Sequence, residues 1–205
     1  MALLLCLCAS EGFAEPLVAA VRASLPMRPG TQMVFRARAT DHPMRPMVEE
    51  DFALDILETW PAGVTFRYSV EQKVIGTESG IQTLSSLDVC TTLDPWWDPG
   101  ETSFDDRCEF WIPQHVFREI AVLGKSYLSI DTLARRDSVV RWELKERTDY
   151  LLEIDGRAVR LAALVIRTSR DDTVIVLDDP RNPLILAIRS TYFEWELTEI
   201  YTHAR

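Results

Sequence analysis

The chain has 205 residues, of which 47% are hydrophobic and 26% charged, and its formal net charge is −10 at pH 7. This hydrophobic content supports a packed core and excludes wholesale disorder, and the length suits a single domain. The excess of acidic side chains disfavours binding to nucleic-acid phosphates and to anionic membrane surfaces. The composition therefore favours one globular domain without a nucleic-acid partner.

The first fourteen residues read Met-Ala-Leu-Leu-Leu-Cys-Leu-Cys-Ala-Ser-Glu-Gly-Phe-Ala, with an apolar run at positions 2–9. That run is too short for a transmembrane helix, which needs about 20 residues, and no later stretch reaches that length. Gly12 and Ala14 put small residues at positions −3 and −1 of a cleavage site, which is typical of a secretory signal peptide. No Lys or Arg precedes the run, so an ordinary N-terminal core segment is the alternative.

We predict a signal peptide over residues 1–14, a single β-rich domain over 15–205, and a periplasmic or secreted location. A short helix is predicted over residues 16–25, because its apolar side chains share one helical face. Strands are expected at 33–39, 52–58 and 64–70, and a weaker one at 81–89. The second and third alternate around a Pro-Ala-Gly turn, which predicts a hairpin.

Cys90 and Cys108 bracket a loop of 17 residues that holds Trp96, Trp97 and five acidic side chains. Cleavage of the leader would remove the other two cysteines, and an even pair in an oxidising compartment predicts a disulfide. Closing a loop of this length contributes about 3 kcal/mol to stability in the chain-entropy model. Two buried free thiols are the alternative.

Residues 113–124 predict a helix, because proline opens the segment and glycine ends it. We expect this helix to cover one end of the sheet. Further strands are predicted at 127–130, 139–144, 150–154, 159–168, 174–177, 184–188 and 192–201, with a hairpin at Asp155-Gly156. Roughly nine to eleven strands favour a mainly β fold. We expect a strongly curved antiparallel sheet, a half-barrel or barrel-like, with one or two short helices.

Residues 174–186 read Val-Ile-Val-Leu-Asp-Asp-Pro-Arg-Asn-Pro-Leu-Ile-Leu, and residues 111–120 read Trp-Ile-Pro-Gln-His-Val-Phe-Arg-Glu-Ile. Together with Gly124, these segments resemble uncharacterised exported β-rich proteins of Gram-negative bacteria over residues 110–201. Such proteins are distantly similar in architecture to the half-barrels of periplasmic lipoprotein carriers. The resemblance implies a concave apolar surface able to hold an acyl chain, and it transfers no functional residue.

Aromatic and aliphatic side chains are the candidate contacts for a ligand or partner, since aromatic residues dominate binding hot spots. We name Trp96, Trp97, Trp111, Phe117 and Ile120. The alternative for Trp96 and Trp97 is that at least one of them packs over the sheet beside the disulfide.

Acidic side chains in the cysteine loop offer oxygen ligands that suit Ca²⁺. The candidates are Asp94, Asp98, Glu101 and Asp105. Their spacing is not that of an EF-hand, so a solvated acidic loop is the favoured interpretation, and we predict no metal site.

No pattern of catalytic residues emerges from the sequence. His42, His115 and His203 are scattered and lack the paired spacing of a zinc site. Asp178 and Asp179 are adjacent on an extended chain and point to opposite faces, which fits a glycosidase pair badly. Nucleophile elbows, phosphate-binding glycine loops and dinucleotide fingerprints are missing. We therefore predict neither a catalytic residue nor a cofactor.

The leading hypothesis is a non-enzymatic, exported binding or carrier module whose curved sheet receives a lipid or a hydrophobic segment. The alternative is a protein–protein interaction module of the cell envelope that uses the Trp96-Trp97 loop or the sheet edges. A hydrolase that uses two carboxylates ranks third.

Overall fold

The structure is a computed structural model that describes residues 25, 27–39, 48–72, 76–94, 100–132, 135–191 and 193–203. Strands account for 66% of the structure, and its described residues include one short helix. The predicted fold class, a mainly β protein built on a strongly curved sheet with one or two short helices, is therefore confirmed. The predicted leader and, except for Leu25, the predicted helix at 16–25 lie outside the described residues.

Thirteen strands and one helix follow one another along the described residues. The strands are β1 Gln32–Ala39, β2 Val48–Trp60, β3 Gly63–Gln72, β4 Gly76–Leu84, β5 Thr92–Leu93, β6 Gly100–Phe104, β7 Arg107–Cys108, β8 Lys125–Thr132, β9 Arg135–Ile154, β10 Arg157–Thr168, β11 Thr173–Leu177, β12 Ile185–Arg189 and β13 Phe193–Tyr201. The helix α1, Gln114–Leu123, lies between β7 and β8. The prediction of nine to eleven strands is too low, because β5, β6 and β7 are too short to show a period of two.

All these strands belong to one sheet, in the order β6-β4-β3-β2-β1-β13-β12-β11-β10-β9-β8-β5-β7. Neighbours are antiparallel except for β4–β6, β5–β7 and β5–β8. A further parallel pairing between β13 and β9 closes a ring of five strands. Only Asp105 and Asp106 separate β6 from β7 in the chain, so the facing ends of these strands lie within about 11 Å. The sheet therefore curls until its two edges meet at one turn.

The predicted hairpin of β2 and β3 is confirmed, with a two-residue Pro-Ala turn between paired Trp60 and Gly63. Val64, Phe66 and Tyr68 are buried in β3, whereas Arg67 between two of them is exposed. This alternation is the pattern of a strand with one face against the core.

The hairpin at Asp155-Gly156 is confirmed as well. Both residues have positive φ, 49° and 76°, which a two-residue turn joining right-twisted strands requires. The strand before it differs from the prediction, because the strands expected at 139–144 and 150–154 are one strand, β9. The charged residues 145–147 in its middle are exposed and do not interrupt the strand. β9 pairs with β8 along its first half and with β10 along its second.

Phe110 lies at the centre of the buried face of the sheet. Its ring centroid is 5.3 Å from that of Phe35, 5.7 Å from Phe52 and 5.8 Å from Phe66. The indole of Trp195 lies 5.5 Å away, and it also contacts Phe35. These partners belong to β1, β2, β3 and β13, so one side chain from outside the sheet joins four of its strands.

The backbone around Phe110 is fixed to the start of β12. The Ile185 amide donates to the Phe110 carbonyl at 2.7 Å, and the Ile112 amide donates to the Pro183 carbonyl at 3.1 Å. Trp111 forms an antiparallel bridge with Leu184 between these bonds. Residues 109–113, which we call the inner segment, thus fill the inside of the curved sheet as a hydrogen-bonded element rather than as a loose loop.

Helix α1 continues from the inner segment. Pro113 precedes it, and Gly124 ends it in the left-handed conformation with φ 76°, which confirms the helix predicted over 113–124. Val116, Phe117 and Ile120 form its buried face, and the helix packs on β8 and β9.

Replacing Phe110 with alanine is expected to lower the free energy of unfolding by about 3–5 kcal/mol, because the ring leaves a cavity among four aromatic neighbours. Urea denaturation measures the effect. The control is Leu123→Ala, an exposed position at the end of α1 where the change should stay within about 0.5 kcal/mol. Equal stabilities for the two variants would contradict the central role of Phe110.

Tyr150 of β9 spans the five-stranded ring. Its hydroxyl lies 2.8 Å from the carbonyl oxygen of Leu197 in β13 and 3.2 Å from that of Leu186 in β12, and its single proton is shared between these two acceptors. Burial, reinforced by the negative charge of Glu196, raises the pKa of Tyr150 above its ordinary value of about 10.

Because the folded state holds the phenolic proton more tightly, the stabilisation from Tyr150 is complete below pH 10, about the unfolded pKa, and is lost as the pH rises further. We expect Tyr150→Phe to cost about 1–3 kcal/mol at neutral pH and to weaken the loss of stability between about pH 10 and 12. Urea unfolding across this range measures both effects. The control Tyr127→Phe alters an exposed phenol and should keep the wild-type dependence of stability on pH. The same dependence in Tyr150→Phe would refute the role of Tyr150 in the loss of stability at high pH.

Candidate functional site

A half-open cleft of about 380 Å³ lies at one end of the curved sheet. Its walls come from the turn between β2 and β3, from the junction of the inner segment with α1, and from the loop at residues 178–184. We call it the rim cleft. Its volume falls at the lower end of the range of small-molecule sites, about 300–1,000 Å³.

Trp60 forms the outer wall of the rim cleft, at the last position of β2. Its side chain lies over Gly63, where a Cβ atom would come within 2.2 Å of the indole. Glycine at position 63 therefore allows the indole to lie flat on the turn. The residue remains 37% exposed, which makes it an accessible aromatic surface at the mouth of the cleft.

Trp111 forms the inner wall. It is 3% exposed, and its indole nitrogen donates to the side-chain oxygen of Asn182 at 2.9 Å. The amide nitrogen of Asn182 in turn donates to the Leu25 carbonyl at 3.4 Å. These bonds hold the inner segment, the loop at 178–184 and the start of the described chain together around the cleft.

The lining of the rim cleft is mostly apolar, with polar groups at a few positions. Its apolar side chains include Met27, Val64, Leu87, Ile112 and Pro183. The polar side chains are Thr59, Gln114, Arg181 and Asn182. This composition suits a hydrophobic ligand that carries a polar group at one end.

The structure separates the residues predicted to contact a ligand. Trp111 lines the rim cleft, whereas Phe117 and Ile120 are buried in the core on the inner face of α1. Trp96 and Trp97 lie outside the described residues. Trp60 and Arg181 also line the cleft and are not predicted from the sequence, although a tryptophan directly before a tight turn is a signal for an exposed aromatic at a sheet end.

Cys90 and Cys108 are both buried, and both are free thiols in the structure. The Cys108 thiol donates to the Thr92 carbonyl at 3.2 Å, and the two cysteines are not at disulfide distance. Burial raises the pKa of Cys108 well above its ordinary value, with further contributions from Cys90 and from the charges of Glu109 and Asp94. The Cys108 thiolate is therefore scarce at neutral pH, which argues against Cys108 as a nucleophile. The disulfide between the two residues stays a prediction.

In the described part of the cysteine loop, the acidic side chains are not gathered around one point where a cation could bind. Asp94 pairs with Arg107 at 2.6 Å, and Glu101 and Asp105 are exposed. Asp98 lies outside the described residues, and those that are described contain no group of three His, Cys, Asp or Glu residues that could hold a metal ion. The calcium alternative thus gains no support from the described ligands.

Among all the residues that the structure describes, no helix has the length and apolar character to cross a membrane.

Mild oxidation is expected to join Cys90 to Cys108, since the two buried thiols lie close enough for Cys90 to raise the pKa of Cys108. The oxidised protein should lose two hydrogens in mass and gain about 3 kcal/mol of unfolding free energy. Mass spectrometry with a peptide map, followed by urea denaturation, measures both. Cys90→Ala treated with the same oxidant is the control and should gain nothing. A peptide map without this linkage after oxidation would rule out the disulfide.

The chain matches no family model, no curated protein and no solved structure. The resemblance to exported proteins of Gram-negative bacteria accordingly stays a prediction.

Proposed function

We propose that the protein is a non-enzymatic binding module that holds one hydrophobic segment, the acyl chain of a lipid, in the rim cleft. The observation that carries this proposal is the cleft itself, which is half-open and mostly apolar, with Trp111 and Ile112 in its wall and the exposed indole of Trp60 beside them. Water against these apolar side chains gains few hydrogen bonds, so an acyl chain that displaces it is stabilised.

The rim cleft, rather than the centre of the sheet, is the place for the ligand. Phe110 occupies the centre with four aromatic contacts, and the inner segment is hydrogen-bonded to β12. A ligand in the centre would have to break these contacts, whereas the rim cleft is open without rearrangement. The proposed capacity is therefore one chain per protein.

We place this activity in the periplasm or outside the cell, because the sequence at residues 1–14 has the pattern of a cleaved leader. An acidic surface is consistent with a protein that exchanges ligand in solution rather than on an anionic membrane.

Two alternatives have weaker support. An interaction module could use exposed apolar side chains such as Leu123, Tyr127 and Val139, which are 68%, 59% and 68% exposed. A hydrolase would need two carboxylates facing one cleft, and the described residues that line the rim cleft include no Asp or Glu.

Titration of the protein with saturated fatty acids of increasing length tests the proposal. Each buried methylene contributes about 0.8 kcal/mol, so affinity should rise about fourfold per methylene until the cleft is full. Trp60→Ala should weaken binding about tenfold, because it removes the wall at the mouth. Isothermal titration calorimetry measures both trends.

Tyr127→Ala is the matched control, since it removes an exposed aromatic that does not line the cleft. An affinity that is independent of chain length would contradict the rim cleft as the binding site. An equal loss of affinity in Trp60→Ala and Tyr127→Ala would contradict it as well. Native mass spectrometry of protein exported to a bacterial periplasm, before and after organic extraction, adds a second readout. A removable adduct of lipid mass is the expected result, and a bare protein would favour the interaction module.

A further inference from the structure

We infer that the rim cleft selects chains that end in a carboxylate, with Arg181 as the residue that binds it. This inference rests on the proposed function and narrows the ligand to a fatty acid rather than a neutral lipid. It starts from the charge of the lining: of the described residues that line the cleft, Arg181 alone is charged. A protein with a net charge of −10 thus presents a cation at the mouth of its apolar cleft.

The backbone of Arg181 is held firmly while its side chain is exposed. The Arg181 amide donates to the Asp179 carboxylate at 2.9 Å, and the Asn182 amide donates to the Asp179 carbonyl at 3.1 Å. The Asn182 side chain is fixed by Trp111. The loop therefore holds the backbone of Arg181 in place beside the cleft, so that only the side chain loses freedom on binding.

Neither acidic neighbour of Arg181, Asp178 or Asp179, forms an ion pair with its guanidinium. Asp178 pairs with Arg147 of β9, and the Asp179 carboxylate accepts the Arg181 backbone amide. In the part of the chain that the structure describes, no carboxylate lies within ion-pair distance of the Arg181 guanidinium. Other arginines are paired, for example Arg38 with Glu49 and Glu194. The positive charge at the cleft mouth is therefore available to a ligand.

The apolar wall strengthens such a contact. A guanidinium binds a carboxylate through two parallel hydrogen bonds, and these are stronger where water is partly excluded. Gln114 also lines the cleft, and α1 begins there without an acidic side chain in its first turn. The positive end of the helix dipole therefore adds to the positive electrostatic potential that Arg181 creates in the cleft. A fatty acid would thus place its chain against Trp111 and its carboxylate at Arg181.

Comparing the affinities for decanoic acid and 1-decanol isolates the contribution of the head group, because the two compounds share the same hydrocarbon length. Titration of the full chain at pH 8 and low salt should give at least about tenfold tighter binding of the acid. Arg181→Ala should remove this preference, so that the variant binds the acid and the alcohol with equal affinity. Arg181→Lys should keep part of it, since lysine retains the charge without the planar pair of donors. Arg160→Ala, an exposed arginine outside the cleft, is the control and should keep the full preference.

Equal affinity of the wild-type protein for the acid and the alcohol would overturn the inference while leaving the proposed function intact. A preference for the acid that persists in Arg181→Ala would also overturn it, by placing the anionic contact elsewhere. If neither compound binds, both the proposed function and this inference fail.

Discussion

The insertion of Phe110 into the buried face of the sheet is the contact on which the rest of the structure depends. A sheet that curls strongly leaves a space inside that its own side chains must fill or leave to a ligand. Here the ring of Phe110 reaches β1, β2, β3 and β13 at once, with centroid distances of 5.3 to 5.8 Å. The curvature and the inserted segment therefore stabilise each other, because neither buries its aromatic surface alone.

The same segment builds the candidate site. Trp111 and Ile112, which directly follow Phe110, supply the inner wall of the rim cleft, and their position depends on the hydrogen bonds to Pro183 and Ile185. The cleft is thus the space left where the inner segment leaves the core and α1 begins. Its shape is coupled to the packing of the core, which favours a preformed site over one assembled around the ligand.

Part of this site could be predicted from the sequence. The sequence predicts Trp111 as a contact residue because aromatic residues dominate binding hot spots, and Trp111 lines the cleft. Phe117 and Ile120 carry the same apolar signal, yet they point into the core, because an apolar helix face looks alike whether it covers a core or a ligand. Arg181 lies 121 positions after Trp60 in the chain, and only the curled sheet brings them to one cleft.

Local chemistry in the sequence determined the elements. Alternating side chains predicted the β2–β3 hairpin, Asp155-Gly156 predicted the β9–β10 turn, and proline and glycine marked the ends of α1, because each signal acts within a few residues. The tertiary structure alone decided the parallel pairings of β4 with β6 and of β13 with β9, the meeting of the sheet edges at Asp105 and Asp106, and the filling of the interior by Phe110. These depend on contacts between residues far apart in the chain, for which the sequence carries no periodic signal.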